Sequence, residues 1–281
     1  MTEYSALKLT KSSDRLPALA GIARQFQAAG MGMYISGLWQ KSLPHDFAWQ
    51  SSFFHADDSI RKCFPTWSWR SISSSVHWVL IRDDRDIEYH MEILDLKYEP
   101  VGPYFLGIHK SASITVSAVA ITVTVKRASP YENRCTLVHP DYVFSGDLHA
   151  GPITFHSDVY RHYHVDEKEL LDEKELLDEK ELLDEKELLD ATGTRGKGGY
   201  VANGEIVHVL FLFDTRLCED LSGEIVVTGR YGLVVRESPD FAGAWERVGL
   251  MVFEPYEWSP RIADWDTNIF DNGERGVYVL V

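Results

Sequence analysis

Residues 166–190 read DEKELL four times over and close on one more Asp. This stretch restricts the fold more than any other, because neither regular conformation lets it join a core. Six residues advance a helix by about 240°, so successive leucine pairs land on different sides and no apolar stripe forms. A coiled coil needs a period of about 3.5 residues and is disfavoured for the same reason. As a strand, one face would carry Glu167, Glu169, Leu171, Glu173 and Glu175, crowding like charges. The fold must therefore be built from the sequence on either side, with the repeat inserted into it.

Taken alone, the repeat predicts a solvated, fraying helix, since Leu, Glu and Lys are good helix formers. Lys168 and Asp172 attract in the poorer i,i+4 orientation, while Glu169 and Glu173 repel. Three readings of its role are open. A tandem expansion can be tolerated in a surface loop, because closure entropy grows only logarithmically with length. The motif also fits an acidic dileucine sorting pattern, with Asp166, Leu170 and Leu171 as the first match. A partner-binding or oligomerising arm is the third reading, behind the tolerated expansion.

The repeat accounts for −9 of the net charge of −15, leaving −6 over the rest of the chain. With no clustered basic stripe, nucleic acid is not an expected partner. The hydrophobic content of 44% and the 8 Trp, 13 Tyr and 13 Phe suffice for a sizeable core. Cys63, Cys135 and Cys218 form no C-x-x-C pair, which suits buried thiols in a reducing compartment better than a disulfide framework. TEYSALKLTKSSDR after Met1 lacks the apolar core of a signal peptide. The apolar runs 116–125 and 207–213 are too short to span a bilayer as helices. The expectation is a cytoplasmic protein with no membrane partner.

Along the chain, SSDRLPALAGIARQFQAAG predicts a helix capped by Ser13 or Asp14, with Pro17 in its first turn. Leu16, Leu19, Ala20, Ala23 and Phe26 share a face, and Gly30 and Gly32 end it. A second short helix is expected around 43–49. Beyond Pro65, β-rich runs recur between turn residues. Strands are expected at 91–98, 113–126, 156–165, 206–213, 224–227, 232–236, 248–253 and 276–281. In 113–126 the apolar alternation slips by one, which predicts a bulge or tight turn near Ala118. The organisation is α+β. A helical segment (1–64) feeds a mostly antiparallel β-rich body (65–165 with 200–281), interrupted by the repeat and its Gly-rich linker (166–199).

Signals for chemistry are weak. H-E-x-x-H, G-x-S-x-G and the phosphate-loop pattern are absent, and GTRGKGG at 193–199 matches a phosphate loop only in composition. His156, His162 and His164 are the metal candidates: an H-x-H pair on a strand turns both rings to one face, and Asp158 could add an oxygen. No cysteine lies nearby, so no metal or cofactor is assigned. His208, within VHVLFLF, reads as a satisfied core histidine. Ser5, Ser68 and Ser222 have no base that sequence positions. Trp39, Trp49, Trp67 and Trp69 read as core residues, each needing a partner for its N–H.

Five blocks together carry a resemblance: Tyr4 and Ser5; Leu9 and Thr10; residues 14–21 (DRLPALAG); 37–39 (GLW); and 65–71 (PTWSWRS). In this order they resemble the region that follows the HET module in fungal heterokaryon incompatibility proteins. Residues 232–253, GLVVRESPDFAGAWERVGLMVF, are similar to the closing part of such proteins. Phe64, Thr66 and Arg70 depart from the usual Ala, Ser and Ala. The HET module's own Trp-Ile-Asp and Leu-Cys-Ile blocks do not occur here. That module, similar to Toll/interleukin-receptor domains, is the part associated with cell death after non-self fusion, so the resemblance transfers no active-site residue. It implies a non-catalytic scaffold or regulatory region that partners a HET module in cis or in trans, and a chain that looks like a C-terminal half starting at an internal Met. The contrasting expectations are a stand-alone interaction protein using the repeat as its arm, and a metal-dependent enzyme at His156, His162 and His164.

Overall fold

A computed structural model describes residues 2–7, 9, 11, 14–51, 63–72, 74–79, 86–127, 134–138, 154–157, 201, 203–218, 225–253 and 273–281. A single helical turn, α1 (Thr2–Ser5), precedes the predicted helix. That helix opens as a 3-10 turn at Pro17–Leu19, continues as α2 (Ala20–Phe26) and ends in a π-type turn at Gln27–Met31. Gly30 and Gly32 end it with φ of 93° and 80°, a region that glycine enters without strain. The cap differs from expectation: Leu16 is the entry residue and no side chain caps it. Leu16, Leu19 and Ala23 are buried, as their spacing predicts, but Ala20 is half-buried and Phe26 is exposed.

No second helix forms at 43–49. Two 3-10 turns, Gln40–Ser42 and His45–Phe47, stand there instead. Pro44 lacks the N–H a longer helix needs and restricts the residue before it. β1 (Tyr34–Ile35) and β2 (Leu38–Trp39) form a hairpin, and β3 (Trp49–Ser51) pairs with β4 (Val76–Trp78). Trp49 therefore opens a strand rather than closing a helix.

The body comprises β5 (Asp86–Tyr89), β6 (Glu92–Pro100), β7 (His109–Arg127), β8 (Arg134–Val138), β9 (Thr154–Ser157), β10 (Ile206–Cys218), β11 (Ile225–Glu237), β12 (Trp245–Phe253) and β13 (Glu274–Leu280). β7 pairs with β8, β8 with β9, β9 with β12, β12 with β11, β11 with β10, and β10 with β7, all antiparallel. These pairings close a six-stranded ring. Ile121, Val123, Val125, Leu137, Val207, Val209, Phe211, Val234, Val248 and Met251 form one buried cluster inside it. A ring this narrow is filled by side chains.

A second cluster lies on the ring's outer side. Ile114, Val116, Ala118 and Ala120 of β7 meet Leu210, Leu212, Leu233, Val235, Leu250 and Leu280, and Leu16, Leu19, Ile35, Leu38, Trp49 and Trp69 cover them. β10, β11 and β12 are thus buried on both faces. Their sequences read as continuous apolar runs for that reason.

β7 answers the expected defect at Ala118. Its register with β13 runs unbroken from Ile114 to Ala120 and its register with β10 from Ala120 to Thr124, so β7 carries no bulge at Ala118; its register with β6 shifts instead at Leu94 of β6 and at Lys110 of β7. Successive side chains point to opposite faces. The even positions 114–120 enter the outer cluster and the odd positions 121–125 the ring interior. The slip in the pattern marks one straight strand passing from one core to the other.

The strands predicted separately at 224–227 and 232–236 are one strand, β11. Gly229 between them is a close approach, since a Cβ there would lie 2.8 Å from Thr215 Oγ1. The end of the chain is stitched in as expected: β13 pairs antiparallel with β7, and Val281 N–H donates to the Trp245 carbonyl at 3.0 Å. The described chain is β-rich and mostly antiparallel with a short helical entry. The repeat and residues 158–165 lie outside the described residues. Among the described residues no helix is long and apolar enough to cross a membrane.

Candidate functional site

The densest polar assembly is a buried node where the N-terminal segment meets the outer face of the ring. Ser5 Oγ donates to the Val76 carbonyl at 3.0 Å and accepts from its N–H at 2.9 Å. Arg15 lies over the Trp69 ring at 5.1 Å and donates to the carbonyls of Ser5, Ile72 and Ser74, the last two at 2.9 Å. Burial, with the charge of Arg70, lowers the Arg15 pKa to about 10. Arg15 therefore remains charged at neutral pH.

Ser36 and Gly37 form the two-residue turn between β1 and β2, with φ of 46° and 96°, the primed-turn geometry that matches strand twist. The Gly37 carbonyl accepts from Trp69 Nε1 at 2.9 Å. A Cβ on Gly37 would lie only 2.4 Å from that nitrogen. Ser68 Oγ donates to the Ser36 carbonyl at 2.5 Å and caps the 3-10 turn Trp69–Ser71 by accepting from Arg70 N–H.

Thr66 ties the node to the chain's end. Its N–H and Oγ1 donate to the Val281 carbonyl at 3.0 and 2.5 Å, and Oγ1 accepts from Arg247 N–H at 2.9 Å. The fully buried Arg247 side chain stacks 3.4 Å over Trp49 and donates to the Phe47 and Trp49 carbonyls at 2.6 and 2.5 Å. Trp49 Nε1 in turn donates to the Trp67 carbonyl at 3.1 Å. Trp67 Nε1 has no acceptor among the described residues. Trp49, Trp67 and Trp69 are core residues, as read; Trp39 is half-buried.

Two further groupings resemble reactive sites. Ser36 Oγ lies 2.8 Å from His109 Nδ1, and burial lowers the His109 pKa. Ser36 is fully buried, so no substrate reaches the hydroxyl; the pair fixes the turn. On β5 and β10, Glu88 faces Asp214 across the strands, and His90 Nε2 lies 3.0 Å from Asp214 Oδ2. Glu88, His90 and Asp214 converge closely enough to hold a cation. Each carboxylate is already engaged: Arg230 grips both Asp214 oxygens at 2.8 Å, and Arg216 pairs with Glu88. Burial raises the Asp214 pKa, but hydrogen bonds and charge from His90 and Arg230 more than offset this and hold it low. The cluster is a charge-balanced ladder on one sheet face.

The predicted metal candidates fall largely elsewhere. His156 sits on β9 opposite Leu250 and Arg134. Its side chain, Asp158, His162 and His164 lie outside the described residues, as do residues 193–199 and Ser222. His208 is half-buried, with Nδ1 3.1 Å from Thr122 Oγ1 and its ring edge-on to Trp245. Ser5 and Ser68 serve backbone groups. Cys63 is exposed, against the expectation of a buried thiol. Arg15, Arg247, His90 and Asp214 gave no signal in sequence, because their partners are remote along the chain. The nearest thing to a signal is an Arg or Asp set in an apolar run, as in AWERVGL and HVLFLFDTR.

The chain matches no family model, no curated protein and no solved structure at a meaningful level.

Proposed function

We propose that the chain is a non-catalytic scaffold or regulatory region of a heterokaryon-incompatibility-type protein, acting on a HET module supplied in cis or in trans. One observation supports this reading above the others. Four of the five blocks that carry the resemblance, and its closing part, far apart in sequence, converge on one buried node through Tyr4, Ser5, Arg15, Gly37, Trp69 and Arg247. Their polar atoms bind backbone carbonyls and hold elements together. Residues used in this way serve a shape, and a shape is what a scaffold offers.

The test is functional. A HET module is expressed in fungal hyphae with and without this chain, and cell death is scored. The chain is expected to change the death rate in one direction. Identical rates, with the chain shown to be folded and abundant, would overturn the reading.

A further inference from the structure

We infer that the outer face of α2 is a docking surface for the acidic repeat of a second copy of this chain. The inference takes up the interaction-arm reading of the repeat and does not depend on a HET module. Leu19, just before α2, and Ala23 within it are buried, while Ile22 and Phe26 are left 56% and 50% exposed. Four residues apart, these two share one helix face. The Phe26 ring lies 5.8 Å from that of half-buried Trp39, which extends the apolar surface onto β2. Cations flank it. Arg24 lies over Phe105 at 5.9 Å, and Lys41 Nζ lies 3.9 Å from where a Gly30 Cβ would stand.

Charge identifies the occupant. Residues 1–51 carry five Lys and Arg against three acids, a net +2 in a chain of −15. Residues 166–190 carry −9. Each hexamer sets two adjacent leucines among three acids, the complement of two apolar side chains between two cations. Opposite potentials of this kind select a partner and speed its capture. One chain presents one α2 face but four hexamers, so one chain can offer repeats to several others at once. The contact is heterologous and does not stop at a dimer, and repeated weak contacts reinforce one another through effective concentration.

The test uses the full chain with p-benzoylphenylalanine in place of Phe26. Light and isotopically heavy copies are mixed, irradiated and mapped by mass spectrometry. Light-to-heavy crosslinks landing in 166–190 are expected. Light scattering should give a mass above the 32.0 kDa of one chain that falls toward it in about 1 M salt, where the screening length is near 3 Å. Arg24→Glu combined with Lys41→Glu should weaken association at least tenfold. Both side chains are exposed, and an unchanged melting temperature would confirm that the variant folds. Crosslinks confined to one chain or to other segments, a single-chain mass at every concentration, or association that ignores the double substitution would each overturn the proposal.

Discussion

Burying a guanidinium is costly unless its N–H groups find acceptors. Arg247 meets that demand with two carbonyls from the segment at 47–49 and with the face of Trp49. Arg247→Ala leaves both carbonyls without that donor and is expected to destabilise the fold by about 3 kcal/mol in urea unfolding. Arg247→Lys keeps the charge but cannot fork between the carbonyls, and should cost about 1–2 kcal/mol. A loss below about 1 kcal/mol for the alanine variant would show that the node is not structural. Gly37→Ala brings a Cβ into Trp69 at positive φ and should cost about 2–3 kcal/mol. Trp69→Ala should cost about 3–5 kcal/mol. At this scale the tryptophans were legible in sequence, because large aromatics default to the core. The arginines were not. Arg usually reads as surface, and the acceptors of Arg15 and Arg247 lie up to 59 and 200 residues away along the chain.

β7 ties the two cores together without merging them. Ile114→Ala and Val123→Ala empty different clusters, some 30 Å apart along an extended strand. Their unfolding penalties are expected to add within about 0.5 kcal/mol; strong coupling would mean the clusters are one. The charged ladder on β5, β10 and β11 makes a pH prediction. The Asp214 carboxyl is held below its ordinary pKa of 3.8, so its stabilisation is present above that value and is lost as pH falls through the lowered one. The stability gap between the native chain and Asp214→Asn should narrow as pH falls below about 4. A gap that persists to about pH 2.5, tracked by denaturant midpoints, would contradict the assignment. Sequence located most of these strands. It placed a bulge at Ala118 where β7 runs unbroken and read β11 as two pieces, because periodicity counts alternation on one face and these strands contribute to two clusters.

For the whole molecule, the described residues between 2 and 79 and the last strand are one packed unit. Thr66 holds Val281, Arg247 holds residues 47–49, and Leu280 is fully buried. Deleting Leu280 and Val281 is expected to lower stability by about 3 kcal/mol or more, read by thermal unfolding. Nothing in local sequence showed that six strands close a ring, since closure is a property of pairing between remote segments. The most direct measurement of the proposed scaffold role is calorimetric titration of a purified HET module into this chain. Saturable one-to-one binding at micromolar concentrations is expected, about −8 kcal/mol, and it should survive removal of residues 166–190. No heat and no co-elution at about 100 μM, with circular dichroism confirming a folded chain, would contradict the scaffold reading.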